Sequence, residues 1–252
     1  MTYCVAISVD AGLIFVSDSR TNAGVDNVST YSKMHNFGFD GERQFVLLSA
    51  GNLATTQGVV SQLKKDIKTY AHTNLMTLSH MSDAADYLGE INLIQQEKHT
   101  GGGTAYEASF IIGGQIMGSK PEAYLVYPQG NHITTSNDTP YLQIGESKYG
   151  KPILDRILTP DSTLETAALC ALVSMDSTMR SNLTVGPPIE VVVYRTDEFI
   201  MNQHYRLADD SEYLRELKRS WDTNLKEAFL RLPPIAWSKN WDKQAANQTG
   251  SK

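Results

Sequence analysis

The order of strand and helix patterns along the chain constrains its fold more than any other sequence feature. Strand patterns come first, two amphipathic helical patterns follow, and then strands, two more helices and further strands. An amphipathic helix buries its apolar stripe against a sheet face, so each pair of helices needs a sheet to cover. Two sheets between two helix layers satisfy this with the fewest layers. We therefore predict an α+β fold, a four-layer αββα sandwich.

The composition predicts a folded chain that needs neither a metal nor a disulfide. Apolar residues make up 41% of 252 residues, which is enough for a large core. Charged residues are 20% and the formal net charge is −6, which excludes a disordered polyelectrolyte and leaves no basic surplus for nucleic acid. Cys4 and Cys170 lie far apart, and the histidines show no metal-ligand spacing. We predict no metal and no cofactor.

The apolar runs and the first residues indicate where the protein resides. The longest apolar runs are strand-sized, far shorter than the ~20 residues of a membrane span. The first ten residues lack the basic region and the long apolar region of a signal peptide. We expect a cytoplasmic protein without a membrane partner.

The chemistry of the N-terminus follows from a predicted hairpin. Residues 2–9 alternate bulky and small side chains, a tight turn follows at residues 10–12, and residues 13–17 form a second strand. In an antiparallel hairpin the start of the first strand lies beside the end of the second. Thr2 and Asp18 should therefore be neighbours.

Thr2 becomes a potential nucleophile if Met1 is removed. Methionine aminopeptidases excise the initiator before a small side chain such as threonine. The new α-amine, with a usual pKa of ~7.7–8.0, could activate the hydroxyl on the same residue. If Met1 is retained, the base is lost and position 2 is an ordinary N-terminal residue. The sequence leaves both outcomes open.

Lys33 is the second residue of interest, in the segment Tyr31-Ser32-Lys33-Met34. A lysine in a short strand is commonly a solvated edge residue. If it lies under the hairpin instead, it needs a carboxylate partner, and Asp18 is the nearest candidate in sequence. Such a pair beside Thr2 would lower the pKa of the threonine hydroxyl.

These residues together resemble the start of proteasome-type β subunits, and most closely the bacterial homologues called the Anbu, or ancestral β-subunit, group. The resemblance covers roughly residues 2–230 and is carried by Thr2, by SDSRT at residues 17–21, by Lys33, by LSAGN at residues 48–52 and by GESKYGKPILDR at residues 145–156.

The resemblance implies the αββα fold of N-terminal-nucleophile hydrolases, with two antiparallel sheets. It implies that Thr2 is the nucleophile, that Asp18 and Lys33 complete the catalytic triad, and that the Gly51 N–H holds the oxyanion. It further implies a homo-oligomer, either a ring or an open helical assembly, that acts on peptide or amide substrates. An ATPase or adaptor partner stays open.

The sequence departs from the family pattern where the terminal amine is tuned. The usual Gly-Ser-Gly and Arg-Asp-x-x-Ser-Gly are replaced by IGESK at residues 144–148 and RSNLTVG at residues 180–186. The candidates for this role are Glu146, Ser147 and Asp176, and the sequence does not select among them.

The remaining elements follow from the same patterns. We predict strands over residues 44–50, 108–112, 123–126, 132–134, 189–194 and 199–204, and helices from residue 52, from residue 82, over 151–158, over 162–180 with Ser162 as its cap, and over 211–229. We predict a single hydrolase domain over residues 2–230, and a C-terminal extension over residues 231–252 that is partly docked and partly frayed.

The extension carries Ile235, Trp237 and Trp241 after Pro233-Pro234. Tryptophans in such a segment seldom stay in water without a reason. Docking on a neighbouring subunit and docking on the same domain are both open.

The sequence therefore predicts a proteasome-like N-terminal-threonine hydrolase that cleaves amide bonds through an acyl-enzyme on Thr2. Two alternatives stay open: a small-molecule amidase with the same nucleophile, and a non-catalytic assembly scaffold if Met1 is retained.

Overall fold

The computed structural model describes residues 1–22, 28–98, 103–238 and 241. Within these residues the strands are β1 (Tyr3–Val9), β2 (Gly12–Asp18), β3 (Arg20–Asn22), β4 (Val28–Thr30), β5 (Met34–Phe39), β6 (Arg43–Gly51), β7 (Ala108–Ile116), β8 (Glu122–Val126), β9 (His132–Thr134), β10 (Tyr141–Gly145), β11 (Ile189–Arg195) and β12 (His204–Leu207). The α-helices are α1 (Leu53–Lys68), α2 (Met81–Glu97), α3 (Ser147–Ile157), α4 (Leu164–Ser181) and α5 (Glu212–Leu230).

The described strands form two antiparallel five-stranded sheets and one two-stranded sheet. The first sheet has the order β10-β1-β2-β11-β12, and the second has the order β5-β6-β7-β8-β9. Strands β3 and β4 pair with each other in a separate two-stranded sheet. The N-terminal hairpin thus lies in the middle of the first sheet.

Four layers result from how the helices cover these sheets. Apolar residues of α1 and α2 pack with the outer face of β6, β7 and β8. A second core joins the inner faces of the two sheets, with Phe15 of β2 against residues of β6 and β7. Helices α3 and α4 pack on each other, and α4 packs on β1 and β2. The predicted αββα sandwich is confirmed.

Strand β1 shows why its sequence alternates bulky and small side chains. Cys4 and Ala6 lie in the narrow space between the sheets. Tyr3 faces the helices, where its phenol is 2.5 Å from the Ser174 hydroxyl of α4. Because both faces of β1 are covered, the first strand is part of the core and cannot fray easily.

Several predicted element boundaries are wrong. Strand β10 was not predicted. The last predicted strand, at residues 199–204, begins only at His204. Asp197 and Phe199 take left-handed φ angles of 64° and 47°, which excludes extended backbone at the start of the predicted range. Helix α4 is capped by Thr163, whose hydroxyl accepts the Thr166 N–H, and not by Ser162.

The described chain divides into two compact units, Met1–Ser211 and Glu212–Lys252. The second unit begins with α5, none of whose residues is buried, and ends with a segment in which Trp237 is 66% exposed and Trp241 is 55% exposed. Residues 239, 240 and 242–252 lie outside the described part. The predicted domain boundary at residue 230 stays a prediction.

Candidate active site

The hairpin brings the second residue of the chain beside the end of β2. Cys4 pairs with Ser17 in the β1–β2 ladder, and the Tyr3 N–H donates to Asp18 Oδ1 at 3.0 Å. The predicted proximity of Thr2 and Asp18 is thereby confirmed. The position of Thr2 follows from sheet pairing and so is fixed by the core.

Asp18 and Lys33 form a buried ion pair. Lys33 Nζ lies 2.7 Å from Asp18 Oδ1, and their side chains are 9% and 0% exposed. The same ammonium donates to the Arg20 carbonyl at 2.6 Å. The prediction that Lys33 lies in a short strand is wrong, since Lys33 immediately precedes the edge strand β5. Its backbone is still held, because the Ser49 N–H donates to the Lys33 carbonyl at 2.9 Å.

Two opposing effects act on the pKa of the Asp18 carboxyl group. Burial raises the pKa of Asp18, while the Lys33 charge and hydrogen bonds from Lys33, Tyr3 and Gly186 lower it. The Gly186 N–H reaches Asp18 Oδ2 at 3.3 Å. A carboxylate so enclosed has a fixed orientation, and it fixes the ammonium in turn.

An open cavity of about 770 Å³ lies above this pair. Thr2, Lys33, Gly51 and Glu146 all line it. Further residues of its lining are Thr21, Tyr31, Ser32, His35, Leu53 and Gln57. Four of the seven candidate residues thus share one cavity, and Asp18 contacts it through Lys33.

Gly51 ends β6, and its backbone conformation and surroundings leave no room for a side chain. Its φ is +113°, and a Cβ there would lie 2.4 Å from the Glu107 carbonyl oxygen of the segment that leads into β7. The neighbouring Asn52 N–H donates to the same carbonyl at 2.9 Å. The resemblance explains a glycine here by the close approach of substrate to the backbone. The close contact between the end of β6 and the segment before β7 requires a glycine as well.

The three candidates for tuning the Thr2 amine differ in their position relative to the cavity. The Glu146 N–H donates to the Thr2 carbonyl at 2.8 Å, and Glu146 lines the cavity. Gly145 permits this contact, since a Cβ at its φ of +84° would lie 2.0 Å from the Thr2 oxygen. Ser147 begins α3 and Asp176 is buried in α4, and neither lines the cavity.

His35 adds a titratable group to the cavity wall. Burial, together with the nearby Lys64 ammonium, lowers the pKa of His35 to about 4. The imidazole is therefore neutral around neutral pH and adds no charge beside Thr2 there.

Three groups around the Asp18–Lys33 pair were missed by the sequence analysis. Two of them contact the pair directly, and the third holds the chain next to Lys33. These are the Arg20 carbonyl, the Gly186 N–H and Ser32, whose hydroxyl donates to Glu190 Oε2 at 2.6 Å. Two are backbone groups, which carry no residue signature. Glu190 lies 158 positions from Ser32, and only the pairing of β11 with β2 brings it there.

The described residues offer neither a metal site nor a membrane span. No cluster of three or more His, Cys, Asp or Glu side chains that could hold a metal occurs among them. None of the helices in the described part of the chain is long and apolar enough to cross a membrane.

Comparison with known proteins shows the family to which the chain belongs. The family model described as "Proteasome subunit" matches residues 2–194. No curated protein matches the chain significantly. Among solved structures, Anbu from Yersinia bercovieri is 47% identical with a TM-score of 0.89, covering 92% of this chain and 99% of that one.

Two further structures match over similar lengths. A helical assembly of the Anbu complex from Pseudomonas aeruginosa is 45% identical with a TM-score of 0.89, covering 94% of this chain and 99% of that one. Anbu from Hyphomicrobium sp. strain MC1 is 43% identical with a TM-score of 0.86, covering 93% and 99%. The chain therefore belongs to the proteasome subunit family, as a homologue of the Anbu, or ancestral β-subunit, group.

Proposed function

We propose that the chain is an N-terminal-threonine hydrolase that cleaves amide bonds after Met1 has been removed. The observation that carries this proposal is the buried Asp18–Lys33 pair, which lies at the base of a cavity that Thr2 lines. Burying two charges costs hydration free energy, which a lysine on the surface keeps. The attraction within the pair and its hydrogen bonds offset part of this cost, and an ammonium in the wall of the cavity that Thr2 lines can stabilise an alkoxide there.

Each residue then has one role in bond cleavage. The Thr2 hydroxyl oxygen attacks the substrate carbonyl carbon, and the Thr2 α-amine takes the hydroxyl proton. Lys33 stabilises the alkoxide that forms, and Asp18 orients Lys33. The Gly51 N–H donates to the tetrahedral oxyanion.

Two further steps complete the reaction, which are loss of the leaving amine and hydrolysis of the ester. The protonated amine gives its proton to the leaving nitrogen, the C–N bond breaks, and an ester on Thr2 remains. Water, deprotonated by the same amine, attacks this ester, releases the acid and restores the Thr2 hydroxyl.

We also propose that the protein acts as a homo-oligomer, either a ring or an open helix, in the cytoplasm. Support comes from the relative in Pseudomonas aeruginosa, which is described as a helical assembly. Peptides are the proposed substrates, because the cavity of about 770 Å³ has room for more than one side chain.

Labelling by a β-lactone or a boronate tests the nucleophile directly. Protein without Met1 should be labelled at Thr2, and Thr2→Ala should abolish both labelling and hydrolysis. Thr73→Ala, on an exposed loop, is the matched control and should behave like the wild type. Equal labelling of Thr2→Ala would remove Thr2 from the mechanism. A panel of unfolded proteins and small acyl-amides then separates a peptidase from an amidase.

A further inference from the structure

A second buried carboxylate lies next to the site and has no role in the steps above. Glu190 is on β11, and its side chain is 9% exposed. Its Oε2 accepts the Ser32 hydroxyl at 2.6 Å. The Met34 carbonyl lies 2.9 Å from the same hydroxyl oxygen and shares its one proton with the closer Glu190, and the hydroxyl accepts the Met34 N–H at 3.3 Å. Glu190 therefore holds Ser32, which precedes Lys33, and Ser32 in turn holds Met34, which follows it.

Charged and polar groups face Glu190 from every neighbouring strand. From β12, Arg206 is its partner across the ladder, and His204 Nε2 lies 4.0 Å from Glu190 Oε1. From β2, Ser17 is its partner, and Asp18 follows next in the chain.

From β1, the Cys4 thiol senses the same charges. Burial raises the pKa of Cys4, Asp18 and Glu190 raise it further, and Lys33 lowers it. One buried thiol thus lies within electrostatic range of both carboxylates and the ammonium.

We propose that Glu190 is a positioning residue of the Thr2 site. Through Ser32 it fixes the segment that carries Lys33, and its buried charge sets the pH range in which the site reacts. This inference rests on the proposed function, since it assigns Glu190 to the same reaction.

The Glu190 charge should act on the protonated groups near Lys33. A buried anion stabilises protonated cationic groups around it, and it does so over several ångströms because the interior screens poorly. Removing the charge makes these groups lose their protons at lower pH. Removing only the hydrogen bond to Ser32 loosens the Lys33 segment but leaves the charges unchanged.

Three variants separate these effects. Glu190→Gln removes the charge and keeps an oxygen that can accept the Ser32 hydrogen bond. Ser32→Ala removes the hydrogen bond and keeps the charge. Glu198→Gln, just beyond the other end of β11 and half exposed, is the matched control for loss of a carboxylate.

Two measurements are made from about pH 5 to about pH 9, the range in which the amine titrates. One is the rate of Thr2 labelling by a β-lactone. The other is the rate at which acetic anhydride acetylates the Thr2 α-amine, followed by peptide mass mapping. The second needs no hydrolase activity, so it tests Glu190 even if the proposed function fails.

We expect both profiles of Glu190→Gln to move to lower pH by about 0.5 unit or more. Ser32→Ala should keep the wild-type pH limits and slow labelling about tenfold. Glu198→Gln should match the wild type. Unmoved profiles in Glu190→Gln, whatever its rate, would overturn the inference, because a purely structural role changes the rate and not the pH limits.

A fourth variant covers the case in which Glu190→Gln does not fold. Arg206→Gln, on the exposed edge strand, removes a cation that faces Glu190 and should move the acetylation profile to higher pH. An unmoved profile there would overturn the inference. If wild-type protein with a free Thr2 is acetylated but never labelled by the lactone, the proposed hydrolase function fails, and the acetylation profiles alone decide the role of Glu190.

Discussion

At the residue scale, the site depends on how a lysine is held inside the protein. An ammonium that leaves water loses several kcal/mol of hydration unless its partners replace it. Lys33 has such partners in Asp18 at 2.7 Å and the Arg20 carbonyl at 2.6 Å. Neither partner residue lines the cavity, so the charge is held in place before any substrate binds.

Lys33→Ala should lose at least ~10²-fold in the rate of lactone labelling, the usual scale for one electrostatic partner. Its fold is checked by circular dichroism, because the buried Asp18 loses its counterion. Asp18→Asn combined with Lys33→Met removes both charges and should be equally slow. Lys65→Ala, exposed on α1, is the control. A merely twofold loss would make Lys33 an ordinary structural residue.

His35 predicts how stability depends on pH. Its pKa is about 4 in the folded chain, below its ordinary value of about 6.5, so folding favours the neutral imidazole. The unfolded chain binds the extra proton between these values. The contribution of His35 is therefore complete above about pH 6.5 and is lost as the pH falls toward about 4, on the order of 1–3 kcal/mol.

Thermal unfolding from neutral to acid pH checks this. His35→Gln should show a smaller fall in Tm over that range than the wild type. His72→Gln, exposed after α1, should follow the wild type. Parallel curves for wild type and His35→Gln would contradict the assignment.

At the scale of elements, the sequence predicted those that are defined by local patterns. The β1–β2 hairpin was predicted correctly because its alternation and its turn lie within one stretch of chain. Strand β10 was not, because its five residues form a strand by pairing with β1 across more than a hundred positions. The contact between Ser32 and Glu190 depends on the same long-range pairing. The family resemblance identified the residues, and only the fold showed their backbone partners.

Gly51 tests whether the end of β6 has to approach the segment before β7. Gly51→Ala should lower the free energy of unfolding by more than about 2 kcal/mol, since it combines a left-handed φ with a contact at 2.4 Å. Gly41→Ala shares the positive φ but has nothing within 4 Å of its Cβ, so it should cost about 1 kcal/mol. Denaturant unfolding of both variants gives the comparison. Equal losses would show that the close approach carries no cost.

At the scale of the whole molecule, the chain consists of a hydrolase-like unit and a second, smaller unit. The second unit exposes large apolar side chains, which are Leu225, Phe229, Leu230, Leu232, Ile235, Trp237 and Trp241. Large apolar side chains that stay exposed in such number within one segment favour an interaction site.

We expect Trp237 and Trp241 to dock on a neighbouring subunit. Replacing both by serine should lower the assembly mass measured by light scattering, because buried tryptophans dominate interface energetics. Replacing the exposed Tyr70 by serine, in the loop after α1, is the control and should leave the mass unchanged. An unchanged mass for the double tryptophan variant would dismiss subunit docking.

The central claim, a free amine and hydroxyl on Thr2 above a buried ion pair, is tested most directly by intact mass together with lactone labelling of the same sample. We predict that purified protein lacks Met1 and takes up one lactone per chain, at Thr2. Protein that keeps Met1 and still hydrolyses amides would contradict this account, because an acylated Thr2 nitrogen cannot serve as the base.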